Sequence, residues 1–305
     1  MLTLEHPSFS AAGLYTITSQ SESTISAELN LDYLIEQFSG AAWSFSGSDQ
    51  NDIIEATALF SFSEGDTLEG LAGDDFIRGG DGLDLISGGS GADTLFGDNG
   101  NDEITGNSGA DDISGGRGAD NLAGGAGADA INGDNGNDII SGNNGADDVS
   151  GGAGADVING GNGNDVISGN SGADDISGGS GADTLNGGAG ADSILGNNGS
   201  DDIFGGNGAD IINGGRGADS LTGGNGADVF EFSLSAGDDV VTDFVDGTDQ
   251  LDFSVFGLAN AAEVRAAGSE VGSDYLIDLT LLGGSGSVLI ENWNESEVNN
   301  SDLIL

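Results

Sequence analysis

The sequence predicts an all-β chain in which short parallel strands and tight glycine turns wind into stacked coils of eighteen residues. Three observations predict it. A nine-residue unit repeats eighteen times from Gly70 to Glu231 without insertion or deletion. Within every unit, positions one and four are glycine, position six is aspartate and position eight is apolar. The 305 residues include 59 glycines and one proline, a composition too poor in large side chains for an ordinary mixed core, so repetition has to supply the fold.

Residues 1–46 come first, with an expected strand at Leu14 to Thr18 and an apolar helical stripe at Leu31, Leu34, Ile35 and Phe38. A stack of coils exposes unpaired backbone at its end, so we expect this segment to cap it, with docking to a partner as the alternative. Residues 47–69 read as degenerate entry units. Gly47 to Glu55 keeps Asp52 and Ile54 in phase, Ala56 to Phe60 interrupts the period, and Ser61 to Glu69 retains Asp66 and Leu68 but lacks glycine at positions one and four. These edge units are not counted among the cation-binding ones.

Residues 70–231 form the regular array. Position two is Gly eleven times, Asn four times, Asp twice and Leu once (Leu71). Gly, Asn and Asp are the residues that tolerate positive φ, so position two is expected in a left-handed conformation. The first six residues of each unit then form a turn. The last three, such as Thr184-Leu185-Asn186, place one aliphatic between two outward positions, which is a three-residue strand. Two units make one coil, and the array makes about nine coils, about 40 Å long at the usual strand spacing.

Residues 232–305 change texture, with Phe232, Phe244, Phe253 and Phe256 and an alternating run from Asp239 to Phe244. Strands are expected at Tyr275 to Leu282 and at Ser287 to Trp293. We expect a β-rich cap.

The chain carries 53 acidic residues against 4 basic ones and a formal charge of -49. Such a surface repels nucleic acid and anionic lipid and attracts divalent cations. The absence of cysteine excludes thiolate metal sites and cysteine nucleophiles. No transmembrane segment and no N-terminal secretory signal are visible. Catalytic patterns are missing too. His6 is the only histidine, no lysine exists for a phosphate-binding loop, and no Gly-x-Ser-x-Gly occurs. Paired acids such as Asp111 and Asp112 are explained by the repeat, so no enzyme activity is expected.

The consensus Gly-Gly-x-Gly-x-Asp-x-apolar-x resembles the calcium-binding nonapeptide of the RTX (repeats-in-toxin) proteins. That resemblance implies a right-handed parallel β-roll in which calcium lies between the turns of neighbouring coils, held by position-six carboxylates and backbone carbonyls. It makes the expected ligands Asp75, Asp84, Asp93, Asp102, Asp111, Asp120, Asp129, Asp138, Asp147, Asp156, Asp165, Asp174, Asp183, Asp192, Asp201, Asp210, Asp219 and Asp228. The run Asp243-Phe244-x-x-Gly247-x-Asp249-x-Leu251-Asp252 is similar to the segment that follows the repeats in many such proteins. The end, Asp302-Leu303-Ile304-Leu305, resembles the C-terminus of type I secretion substrates. Together these imply export from a Gram-negative cytoplasm by the type I secretion machinery and folding outside the cell.

Physical chemistry leads independently to a cation. One buried side chain per nine ordered residues is a thin core. Stacked carboxylates about 4.8 Å apart repel by about 0.9 kcal/mol per pair even at the dielectric of water, and a dication between them reverses the sign. Hard oxygen donors on flexible glycine loops suit calcium better than magnesium. If each ion joins loops two units apart, about 16 sites result, bringing the charge to about -17.

The expected function is therefore a secreted, calcium-folded structural, matrix, surface-layer or filament component. Position seven motivates self-association, since alternate units place Leu85, Ile139, Val157, Ile211 and Val229 in one row with Glu103, Asn121, Asp175 and Ser193. An ordinary solvated sheet face explains the row equally well. The alternatives are an ancillary module of a secreted hydrolase or epimerase, against which a start at Met1 speaks, and a calcium-dependent adhesin or ice-binding solenoid. Ice binding is disfavoured because position three never carries threonine.

Overall fold

The computed structural model describes residues 16–18, 44–47, 50–55, 65–299 and 301–305. The helical stripe at Leu31 to Phe38 and the interruption at Ala56 to Phe60 lie outside these residues. Of the expected strand at Leu14 to Thr18, residues Thr16–Thr18 form one, parallel to Ser44–Ser46.

Two compact units, Met1–Ile140 and Ser141–Leu305, make up the chain. Each is a parallel β-solenoid, the all-β class that the nine-residue period leads one to expect. In the first unit, Thr67–Ala72, Leu85–Ser90, Glu103–Ser108 and Asn121–Ala126 pair in one sheet. The intervening strands Phe76–Gly82, Thr94–Gly100, Asp112–Arg117 and Ala130–Asn135 pair in the other. The second unit repeats the scheme: Val157–Asn162 pairs with Asp175–Ser180, and Val166–Ser171 with Thr184–Ala189. The register sets each residue against its equivalent eighteen positions away, as in Ile158 on Ile176 and Ile167 on Leu185.

That register follows from the side chains. A strand has period two, so of positions seven, eight and nine only the middle one faces inward. The position-eight side chains, from Ile77 to Phe230, are all at most 2% exposed and form the core. A shift of one residue would turn every aliphatic outward and is excluded by the burial pattern.

The strands are longer than the sequence suggests. Most start at position seven and run six residues, through position three of the next unit, as in Val157–Asn162. Positions two and three pair with the adjacent coil (Gly161 on Gly179, Asn162 on Ser180) even though position two is left-handed, so the turn shrinks to positions four to six. Backbone pairing decides this: a solenoid offers every peptide group a partner one coil away, and leaving three per unit unmatched is costly.

Position two has the expected conformation throughout. Its glycines, together with Leu71, Asp98, Asn107, Asp134, Asn143, Asn170 and Asn197, all have positive φ. Position four is glycine for two reasons. Gly172 has φ 148, and a Cβ there would overlap the carbonyl oxygen of Gly154 in the preceding coil.

Past the repeats, Asp238–Val241 continues one sheet and Gln250–Asp252 the other. Ser287–Ile290 stacks in parallel on Asp238–Val241, Asp274–Asp278 pairs antiparallel with Ser287–Ile290, and Gly268–Val271 pairs antiparallel with Asp274–Asp278. Leu303–Ile304 adds to Gln250–Asp252. A short helix, Ala261–Ala267, is capped by the Asn260 side chain, which accepts the Ala262 N–H. The expected strand from Tyr275 stops at Asp278, because its side chain accepts the Thr280 N–H and starts a 3-10 turn over Leu279–Leu282. Trp293 closes the aromatic core, 5.1 Å from Phe244 and 5.8 Å from Tyr275 between ring centres.

Candidate metal centre

All eighteen position-six aspartates are buried, none more than 2% exposed. Their two oxygens have different roles. Oδ1 accepts the backbone N–H of the aspartate one coil earlier: Asp75 N–H donates to Asp93 at 2.8 Å, Asp156 to Asp174 at 2.8 Å, and Asp210 to Asp228 at 3.0 Å. The carboxylates therefore form ladders along both edges of each unit. From Asp75 to Asp120 and from Asp165 to Asp228, Oδ2 is buried and has no hydrogen-bond partner.

Where Oδ2 points is given by the position-one glycines. A Cβ built on Gly160 would lie 2.5 Å from Oδ2 of Asp165 and 2.6 Å from the carbonyl oxygen of Gly178. The missing side chain leaves a cradle walled by a carboxylate oxygen of its own unit and a carbonyl oxygen of the next coil. The arrangement recurs at Gly70, Gly97, Gly169 and Gly196. A buried anionic oxygen beside a second acceptor, with no donor between them, is unfavourable unless a cation or a proton joins them.

The acid–base properties reflect this. Burial, opposed by the N–H donated to Oδ1 and reinforced by neighbouring aspartates, pushes Asp75, Asp111, Asp165, Asp174, Asp201 and Asp210 up to about 6. Asp102 is pushed up to about 7 by the same causes. The donor set is hard, anionic and all oxygen, which fits calcium. Among the described residues no three acidic or histidine side chains converge, so main-chain carbonyls have to supply much of any coordination shell.

Several participants were not anticipated from sequence. The entry unit, not counted among the ligand-bearing ones, reproduces the cradle: a Cβ on Gly47 would lie 2.7 Å from Asp52 Oδ2 and 2.6 Å from Gly70 O. The ladders continue past Asp228, because Asp219 N–H donates to Asp239 at 3.2 Å and Asp228 N–H to Asp249 at 3.0 Å. Spacings of 20 and 21 residues hide these two from a search at period nine. The role of position one was hidden as well, since glycine there reads as one more turn residue.

Position two carries a further pattern. Several of its non-glycine side chains reach a position-nine residue twenty places earlier: Asn107 to Ser87 at 2.9 Å, Asn170 to Ser150 at 2.8 Å, Asn197 to Ser177 at 2.8 Å, and Asp98 to Arg78 at 2.5 Å. In the position-seven row, Leu85, Ile139, Val157 and Ile211 are exposed. Within the second unit the register runs Val157, Asp175, Ser193, Ile211, Val229, so polar residues interrupt the aliphatics.

A family model described as the RTX calcium-binding nonapeptide repeat (4 copies) matches nine overlapping stretches that together span residues 61–241. No curated protein matches the chain. Among solved structures, it is similar to the R3 subunit of a mannuronan C5-epimerase from Azotobacter vinelandii, with 29% identity, 41% of this chain and 78% of that chain covered, and a TM-score of 0.35. It is also similar to the extracellular lipase LipA from Serratia marcescens, with 19% identity, 66% of this chain and 40% of that chain covered, and a TM-score of 0.35.

Proposed function

The chain belongs to the RTX calcium-binding nonapeptide-repeat family, and from that premise we propose that it is a secreted protein that folds on calcium outside the cell and serves there as a structural, matrix or surface component. The single observation that carries the calcium part is the cradle at position one, where a buried, partnerless carboxylate oxygen meets a carbonyl of the next coil. The position-six aspartates are the proposed ligands. Calcium supplies the positive charge that lets these carboxylates stack ionised, while the chain's own groups fix the geometry: each Oδ1 is held by an N–H of the preceding coil, leaving Oδ2 to face the cradle. About 16 ions are proposed, one for each pair of loops a coil apart.

In this reading residues 1–46 cap or dock, 47–69 lead in, 70–231 bind calcium, and 232–305 close the roll and carry the signal for type I export. For export, Leu303–Ile304 is strand-paired in the fold, so a chain kept unfolded by low cytoplasmic calcium leaves these residues free for a transporter, and folding afterwards retracts them. A non-catalytic role is supported by the lack of histidine, lysine and cysteine along the array.

The test is a calcium titration followed by far-ultraviolet circular dichroism and sedimentation velocity. A β signal that develops at about 0.1 to 1 mM calcium and then growth into large species is the expected result. Full β signal in excess chelator would refute calcium-driven folding. A compact monomer at high protein concentration would remove the structural role while leaving the calcium reading intact.

A further inference from the structure

Among the described residues beyond Glu231, Asp239, Asp249 and Asp302 are buried carboxylates, and of these Asp302 stands outside the aspartate ladders. Asp302 is 0% exposed. Its backbone is fixed by sheet pairing, since Leu251 N–H donates to the Asp302 carbonyl at 2.7 Å and Phe253 N–H to Ile304 at 2.8 Å. Oδ1 accepts the Gly247 N–H at 3.2 Å and lies 3.3 Å from the Ser301 hydroxyl. Oδ2 is buried with no partner.

Gly247 follows Asp246, and the contact with Gly247 brings the Asp246 carboxyl within hydrogen-bonding reach of Asp302. Two carboxylates at such a distance, one of them wholly buried, require a shared proton or a cation. Burial and then the charge of Asp302 push Asp246 up, opposed by the nearby Trp293 indole. That indole is buried, and its Nε1–H makes no well-formed hydrogen bond. Gly247, at φ 73, has open space around it, so the loop can adjust around an ion.

We propose that Asp246 and Asp302 hold a further divalent cation of the hard, oxygen-seeking class, outside the nonapeptide array, which pins the last four residues to the end of the roll. Neither residue lies on the nine-residue period, and they come from segments more than fifty positions apart. Carbonyls and water complete the shell. The ion joins the chain terminus to the loop before Gln250–Asp252, so its loss frees the tail without dissolving the repeats.

Trp293 supplies a local readout. In the full chain with Trp43→Phe, so that Trp293 is the remaining indole, the calcium-folded protein is titrated with terbium and excited at the red edge of indole absorption. Indole-sensitised terbium emission is expected. Asp246→Asn, at an exposed position, and Asp302→Asn are each expected to weaken that titration by roughly tenfold or more, because each removes half of the carboxylate charge. The calcium midpoint of the β signal in Asp246→Asn is expected to stay at the parent value, and carboxypeptidase is expected to release Leu305 faster. Absence of indole-sensitised emission, or emission unchanged in both variants, overturns the proposal. Failure of the repeats to bind calcium registers separately, as a missing calcium-dependent β signal in the parent chain.

Discussion

Two glycines of one repeat unit show how the same residue type is required for different reasons. At Gly172 a Cβ would overlap a backbone carbonyl of the preceding coil, and φ is 148, so alanine there forces the coils apart whether or not a cation is present. At Gly169 φ is not in the left-handed region, and a Cβ would instead lie against Asp174 Oδ2 and 2.7 Å from Gly187 O. Gly172→Ala is therefore expected to lower β content at every calcium concentration. Gly169→Ala is expected to raise the calcium midpoint and reduce the ion count measured by equilibrium dialysis, with saturating calcium largely restoring the fold. Equal effects of the two on the ion count would remove the distinction between packing glycine and cradle glycine. Leu71 makes the converse case. It occupies position two with φ 80 and its side chain is exposed, so it bears left-handed strain of about 1–2 kcal/mol with little burial to offset it. Leu71→Gly is expected to stabilise the calcium-bound protein by about 0.5–1 kcal/mol after the added chain entropy is deducted, read as a rise in thermal midpoint. The left-handed setting of position two was legible because Asn, Asp and Gly share that tolerance. The cradle was not, because a missing side chain gives no signal of what fills its place.

A strand of this fold contributes a single core side chain, and that makes its energetics unusually local. Ile176 is 0% exposed and sits in register on Ile158 and Ile194, so Ile176→Ala is expected to cost about 2–5 kcal/mol in calcium. Val166, two positions after the position-five residue of its unit and 52% exposed, is expected to tolerate threonine within about 0.5 kcal/mol. Chemical denaturation at saturating calcium measures both, and similar costs at the two sites would contradict the one-sided core. The inward position, the parallel stacking and the eighteen-residue coil were all readable from Ile158, Ile176 and their equivalents. Strand length was not: glycine-rich positions one to three read as loop, since the pairing that extends the strand depends on a neighbouring coil rather than on local preference. Beyond Glu231 the period ends; strands at Asp274–Asp278 and Ser287–Ile290 were still legible from alternation, but the 3-10 turn at Leu279–Leu282 and the rungs at Asp239 and Asp249 were not.

Over the whole molecule, the ionisation of the buried carboxyls opposes the metal-free fold. The chain has a formal charge of -49, and its position-six carboxyls must ionise inside the structure if it is to persist metal-free at neutral pH. Burial, the leading cause, raises Asp165 and Asp174 from 3.8 to about 6 and Asp102 to about 7. A group whose pKa is higher folded than unfolded binds protons preferentially in the folded state. Its contribution is fully present below the unfolded value, near 3.8, and is lost as pH rises through the folded value, between about 6 and about 7. Without metal, acid thus substitutes for calcium, because a proton on Oδ2 removes the buried charge and supplies a donor to the facing carbonyl. With calcium the direction reverses, since protons and calcium compete for the same oxygens and the ion binds only the ionised form. In metal-free buffer the β signal is expected to be substantial near pH 5 and to vanish by about pH 7.5, whereas in millimolar calcium it is expected to strengthen over the same interval. Circular dichroism across that range, with and without calcium, measures both limbs. A metal-free chain equally unfolded at both ends would mean that the buried carboxyls need the ion itself rather than only relief from their charge.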